Sequence, residues 1–254
     1  MTPSTQTKSI QEAPEDVIFP PGNLWSDEPP LESSLHLYQI LLLLSCLNWL
    51  WGDRTDYFAV GNLTVYYSPN QLKSEDFRGP DFLVVLGTEK RPRRSWVVWE
   101  EDGKYPNVIV ELLSKSTAKV DRGLKKEIYQ DTFRTPDYFW FDPETLEFEG
   151  FHLVDGAYHR LEPNEHGWRW SQQLQLYLGI HDDQLRFFTP DGELVPTPEE
   201  SAEAERQKVV IERERAEAER ERAETERERA EASAQRQERL AAKLRELGVN
   251  PDDL

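Results

Sequence analysis

From Tyr105 to Thr117 the chain reads YPNVIVELLSKST, and this run constrains the fold more than any other. Val108, Ile109, Val110, Leu112 and Leu113 form a β-branched and aliphatic segment of the kind that is covered on both faces of a sheet. Glu111 stands in the middle of it. Desolvating a carboxylate without a partner costs on the order of several kcal/mol, so something is expected to be bound to this side chain.

The rest of the chain can supply such a core. It has 254 residues, 37% of them hydrophobic, with eight Trp, enough for one sizeable domain with extensions. The formal net charge is −18. Residues 199–254 hold 17 acidic and 12 basic side chains, which leaves a net of −13 on residues 1–198. An acidic body of this kind does not hold nucleic acid by bulk electrostatics, so any such contact must be local or bridged by a metal ion. The single Cys46 excludes an internal disulfide framework and a Cys-rich zinc site, and a cytoplasmic location is expected. The opening MTPSTQTKSIQEAPED lacks the pattern of a secretory signal. The stretch LHLYQILLLLSCLNWLW, Leu35 to Trp51, approaches the length of a membrane span, but His36, Gln39, Ser45 and Asn48 interrupt it. It is expected to be a buried helix of an α/β core, with no membrane contact.

Three parts are legible. Residues 1–30, rich in Pro, Glu and Ser, read as a mobile arm, with order beginning near Leu31. Residues 31–197 read as one domain: the apolar helix, then DYFAVGNLTVYYSP and PDFLVVLG as strands. In WVVWEEDGKYP the Asp-Gly pair predicts a hairpin leading into the Glu111 strand. STAKVDRGLKKEIYQDTF predicts a helix with Leu124, Ile128 and Phe133 as its apolar positions, followed by the strand TPDYFWFDP and several short strands. From Pro198 the heptads RERAEAE, RERAETE and RERAEAS, Arg213 to Ser233, predict one long charged helix. With Ala216, Ala223 and Ala230 at position a, position d falls on Glu219, Glu226 and Ser233. Only Leu240, Leu244 and Leu247 continue the frame, so a solvated helix with at most weak coiled-coil pairing is expected.

Chemistry concentrates around Glu111. Asp81, after Gly79-Pro80 at the head of FLVVLG, is a second acid at the start of an apolar strand. Two such carboxylates with a backbone oxygen, that of Leu112, make a set of hard donors suited to Mg²⁺ or Mn²⁺. Asp81 as a simple turn cap, with Glu111 pointing to solvent or paired with an Arg, remains the alternative. Asp121, Lys125 and Tyr129 follow at i, i+4 and i+8 and so share one helical face. Lys125 on that face could orient a water and stabilise charge on a phosphate, or act as a base if its pKa is lowered.

Pro80-Asp81, the strand with Glu111 followed by Ser114, Ser116 and Thr117, Asp121-Arg122-Gly123-x-Lys125-x-x-x-Tyr129, and Pro136-Asp137-Tyr138-Phe139-Trp140-Phe141-Asp142-Pro143 together resemble the Uma-two family. That family belongs to the restriction-endonuclease-like, or PD-(D/E)XK, superfamily, and the resemblance runs from about Leu31 to Thr189. It implies an α/β fold with a central mixed β-sheet flanked by helices, a divalent ion on Asp81 and Glu111, and hydrolysis of DNA phosphodiester bonds. The superfamily's usual lysine would fall on Leu113; the resemblance moves it to Lys125, with Lys126 as a less well-phased substitute. A further acid on the first helix of the superfamily maps to Glu32, with His36 one turn later; a helix-terminal acid is the alternative reading of Glu32. Lys115 departs from the family's Ser-Pro-Ser-Thr, and Phe133-Arg134-Thr135 replaces its Gly-Val.

The loop Lys90-Arg91-Pro92-Arg93-Arg94 is a dense positive cluster on this acidic body and would attract phosphate if it overhung the site. The opposing functional reading is an inactive nuclease-fold scaffold that works through its C-terminal helix in protein–protein interaction. Any homo-oligomer is expected through the core or that helix.

Overall fold

The computed structural model describes residues 22–28, 30–68, 79–114 and 118–246. It divides into two compact units, Met1–Thr197 and Pro198–Leu254.

In the first unit the chain runs through α1 (Ser34–Leu50), β1 (Tyr57–Gly61), β2 (Val65–Tyr66), β3 (Phe82–Leu86), β4 (Trp96–Val97) and β5 (Val108–Leu112). A helical crossover over residues 118–132, here α2, leads to β6 (Asp137–Phe141), β7 (Phe148–Val154) and β8 (Ala157–Arg160). The strands β9 (Arg169–Ser171), β10 (Leu176–His181) and β11 (Gln184–Phe188) complete it.

The central sheet has six strands in the order β1-β3-β5-β6-β7-β8. Its neighbours are antiparallel except β5 and β6, which run parallel. A parallel pair cannot be closed by a tight turn, and α2 makes the required crossover. The result is the expected mixed sheet flanked by helices.

Strand parity places the site. Val108, Val110 and Leu112 of β5 point to one face, where they join Ile40, Leu43 and Leu47 of α1 and Leu176, Leu178 and Phe187 of the three-stranded sheet β11-β10-β9. Ile109 and Leu113 point to the other, with Tyr129 and Phe133 at α2 and Tyr138 and Trp140 of β6. Glu111, between them in the alternation, faces α2.

Three expectations need correction. Helix α1 is buried on one side only: Leu37, Tyr38, Leu41 and Trp49 are exposed, because the sheet covers a single face of it. Among the described residues no helix is long and apolar enough to cross a membrane. Order begins before Leu31, since Ser26 N–H donates to Arg94 O (2.9 Å), Tyr66 O–H to Trp25 O (2.9 Å) and Ser95 O–H to Leu24 O (2.7 Å). Residues 1–21 of the expected arm lie outside the described residues. Finally, Asp102 and Gly103 do turn the chain with φ of 55° and 71°, but they close no hairpin. β4 pairs in parallel with β2, and β5 pairs with β3 and β6.

The second unit is α3, Pro198–Glu246, one helix of 49 residues. Its Arg and Glu residues pair along the surface, Arg213 with Glu217 at 3.1 Å and Arg227 with Glu231 at 2.9 Å, each at i, i+4. Val209, Ile211 and Leu240 are exposed, while Leu247 and the Leu244 side chain lie outside the described residues.

Candidate active site

Helix α2 is not a regular α-helix. After Ala118–Val120 it opens into two wide π turns, Asp121–Lys125 and Ile128–Thr132. A π turn holds more than the 3.6 residues of an α turn, so side chains four apart come closer to one full revolution and stack in a column. Asp121, Lys125 and Tyr129 form that column, and all three are buried. The apolar positions predicted for this helix behave differently: Phe133 is buried, Ile128 is half-buried and Leu124 is exposed. Part of the expected apolar stripe is thus given up so that a polar column can face the sheet.

The column faces Glu111. Lys125 Nζ lies 3.0 Å from Glu111 Oε2 and 3.0 Å from Asp121 Oδ1. Tyr129 O–H donates to Glu111 Oε1 at 2.6 Å, and Tyr138 O–H donates to the Asp121 carbonyl at 2.9 Å, which fixes the first wide turn. Asp81, immediately before β3, is laced to the same strand: its Oδ2 accepts from Leu112 N–H at 2.8 Å, and its own N–H donates to Glu111 Oε2 at 3.4 Å. Asp81, Glu111, Lys125 and Tyr129 therefore come together, and Asp121 joins them.

A residue that sequence analysis missed holds the Asp81 turn. Glu28 Oε1 accepts from Gly79 N–H at 2.6 Å and from Thr64 O–H at 2.7 Å. A Cβ at position 79 would lie 2.3 Å from the Leu63 carbonyl oxygen and 2.8 Å from Glu28 Oε1, so only glycine fits there. Nothing local in a Pro-rich segment marks Glu28 for this work.

The charges do not balance. Glu111, Asp81 and Asp121 gather around one ammonium, that of Lys125. Burial pushes the Glu111 carboxyl well above the usual range; Lys125 opposes this, and the other two acids add to it. For Lys125 burial alone would lower the pKa, but the surrounding carboxylates outweigh it and raise it above the ordinary lysine value. The carboxylates thus favour the charged form of Lys125. Burial, then Glu111, raise the Tyr129 phenol well above its usual range, so it stays a donor.

On the far side of β5, His36 Nε2 lies 3.1 Å from the Leu112 carbonyl, and its Nδ1 lies 2.8 Å from Ser33 Oγ. The carbonyl accepts from Nε2–H. Glu32 is not on this helix: Ser33 is the N-cap, and Glu32 is exposed in the bend before it. His36, not Glu32, is what α1 sends toward the strand. A small open pocket of about 60 Å³ beside it is lined by Ser33, His36, Leu113, Ser114, Asp142 and Thr145, among others.

Two further expectations change. Lys126 sits over the Phe151 ring at 3.6 Å, away from Glu111, and does not substitute for Lys125. The basic loop lies at the wrong end of β3. β3 starts beside Glu111 and runs away from it, and the loop begins past its far end, where Lys90 N–H donates to Thr55 O at 3.0 Å. Its charges are also spent locally: Arg91 and Arg93 reach Glu101 at 2.8 and 2.6 Å, the Lys90 ammonium donates to the Tyr57 phenol oxygen at 2.7 Å, and Arg94 covers the Trp25 ring. Lys115, Ser116 and Thr117 lie outside the described residues.

The donor set suits a hard divalent ion in part. Among the described residues no group of three or more His, Cys, Asp or Glu is placed to hold a metal. Two carboxylates and a carbonyl, with a deficit of positive charge, fit an ion that keeps waters or takes substrate oxygens, as Mg²⁺ does.

Residues 7–187 match the model of the Uma2 family, described as "putative restriction endonuclease". The chain belongs to the Uma2 family. No curated protein sequence matches it. Among solved structures it is similar to a crystal structure described as that of "a putative nuclease belonging to DUF820" from Anabaena variabilis ATCC 29413. That likeness has 13% identity and a TM-score of 0.45, and covers 61% of this chain and 82% of the other.

Proposed function

We propose that this Uma2 chain is a metal-dependent endonuclease that hydrolyses DNA phosphodiester bonds, with a PD-(D/E)XK-type site whose lysine comes from the crossover helix. The observation that carries this reading is three carboxylates around a single ammonium at the end of β5. Such a cluster lacks positive charge, and a divalent cation or a phosphate-bound cation supplies it.

Asp81 and Glu111 would hold the ion, with the Leu112 carbonyl as a further oxygen. Bound Mg²⁺ or Mn²⁺ would stabilise charge on the phosphate and lower the pKa of an attacking water. Lys125 would attract the phosphate and position or activate the water. Tyr129 and Asp121 fix Lys125 and Glu111 from two sides, so the constellation is set before substrate arrives. His36 holds the Leu112 carbonyl in place.

Supercoiled plasmid incubated with the purified chain and Mg²⁺ or Mn²⁺ tests this. Nicking that disappears in Asp81→Ala and in Glu111→Ala is the expected result, and cleavage indifferent to both would remove the assignment. A second reading has one observation in its favour: both Glu111 oxygens already have donors within the chain. On that view the cluster is a structural ion-pair core in an inactive scaffold, and neither cleavage nor metal binding will be found.

A further inference from the structure

The exposed side of α1 is mostly apolar, with Ser34 and Asn48 as its exposed polar side chains besides Tyr38. Tyr38 is 61% exposed, Leu41 and Trp49 50% each, and Leu35, Leu37 and Leu50 are exposed as well. From Ser33 to Gly52 the chain has no Asp, Glu, Lys or Arg. On a body with a net charge of −13 over residues 1–198, this is a charge-free strip. An exposed apolar patch of this size marks a binding surface.

We infer that α1 is the interface of an isologous homodimer, packed antiparallel against α1 of a second copy. The spacing of the strip is what selects this occupant. Ser34, Tyr38, Leu41, Leu42, Ser45 and Trp49 lie within one stripe about 100° wide at 3.6 residues per turn, with Leu42 and Ser45 half-buried and Leu42 also touching the core of its own chain. Their intervals of four, three, one, three and four residues read the same in both directions. Laid antiparallel about a two-fold axis between Leu41 and Leu42, the helix meets itself in matched layers. Tyr38 falls opposite Ser45, Trp49 opposite Ser34, and Leu41 opposite Leu42. Each large ring faces a small side chain, which is the condition for close helix packing.

Charge selects the same occupant. A basic partner or a nucleic acid finds nothing ionic on this strip, and a second acidic body approaches with least repulsion where neither copy carries charge. Of the large exposed side chains Tyr38, Leu41 and Trp49 lie on the stripe, and Leu35, Leu37 and Leu50 flank it on its two sides. Because Leu35 also borders the small pocket beside His36, the dimer brings the partner's helix end to the rim of that pocket.

Sedimentation equilibrium of the full chain across the micromolar range tests the proposal, with Leu41→Glu and Leu240→Glu as variants. A monomer–dimer equilibrium weakened at least about tenfold by Leu41→Glu and unchanged by Leu240→Glu is expected, with circular dichroism melting confirming that both variants fold. In a second experiment Leu41→Cys should form a dimer linked by a reducible disulfide, whereas Leu124→Cys, on the exposed side of α2, should not; the native Cys46 is buried and does not interfere. A chain monomeric at every concentration overturns the proposal, as does one whose association survives Leu41→Glu or is abolished only by Leu240→Glu.

Discussion

Helices α2 and α3 both pair lysine or arginine with acids four residues away, at almost the same distance. In α3 the Arg227–Glu231 pair is 2.9 Å long with side chains 81% and 60% exposed. In α2 Lys125 is 3.0 Å from Asp121, and the two are 7% and 1% exposed. Water screens the first pair and has been removed from the second, so equal geometry has unequal consequences. The long helix carries many charges that each matter little. The short one carries one ammonium on which three carboxylates depend.

Removing Lys125 should give the largest effect. Lys125→Met leaves Glu111 and Asp121 buried without their cation, at a cost of about 3–5 kcal/mol, seen as a fall in Tm of roughly 10 °C. Plasmid cleavage should be lost with it. A Lys125→Met/Glu111→Leu double variant should be more stable than the single one, because both partners go together; a double variant no better than the single would show that the pair is not the source of the cost.

Tyr129→Phe should come next. It deprives Glu111 Oε1 of its donor and should lower stability by about 1–3 kcal/mol in urea unfolding.

The third effect is one of pH. Burial raises the Glu111 pKa, so between the ordinary carboxylate value of about 4.3 and the raised one the folded chain binds more protons than the unfolded. Stability from this group therefore falls as pH rises through that window. The Tm difference between Glu111→Gln and the native chain should grow in favour of the variant from about pH 5 upward. Adding Mg²⁺ at pH 8 should raise the native Tm and leave that of Asp81→Ala unchanged, a binding readout that needs no cleavage.

The smallest effect belongs to α3. Arg227→Ala should move Tm by no more than about 1 °C, since an exposed i, i+4 pair contributes little. A loss comparable to that of Lys125→Met would erase the contrast between the two helices.

What could be read in advance follows the same division. The VIVELL run announced a covered strand, and its isolated Glu announced a partner, because both signals are local in sequence. The i, i+4, i+8 spacing of Asp121, Lys125 and Tyr129 survives any helical geometry near four residues per turn, so the column was legible although the π turns were not. Glu28 was not legible: its partners Thr64 and Gly79 are 36 and 51 residues away. The basic loop misled for the same reason, since Glu101 and the rings that absorb its charges are assembled only by folding. Helix α1 misled differently. A helix apolar all round reads as buried, and sequence does not distinguish burial within one chain from burial against a second copy.

The wide turns of α2 have a consequence for how this site tolerates length. In an α-helix each residue advances the next by about 100°, so a deletion inside Asp121–Lys125 would leave composition nearly intact yet swing Tyr129 about a quarter of a revolution away from β5. A side chain in place of Gly123 meets open space and should be borne easily. Beside the identities of Asp121, Lys125 and Tyr129, the number of residues in the crossover helix is thus itself a requirement of the site.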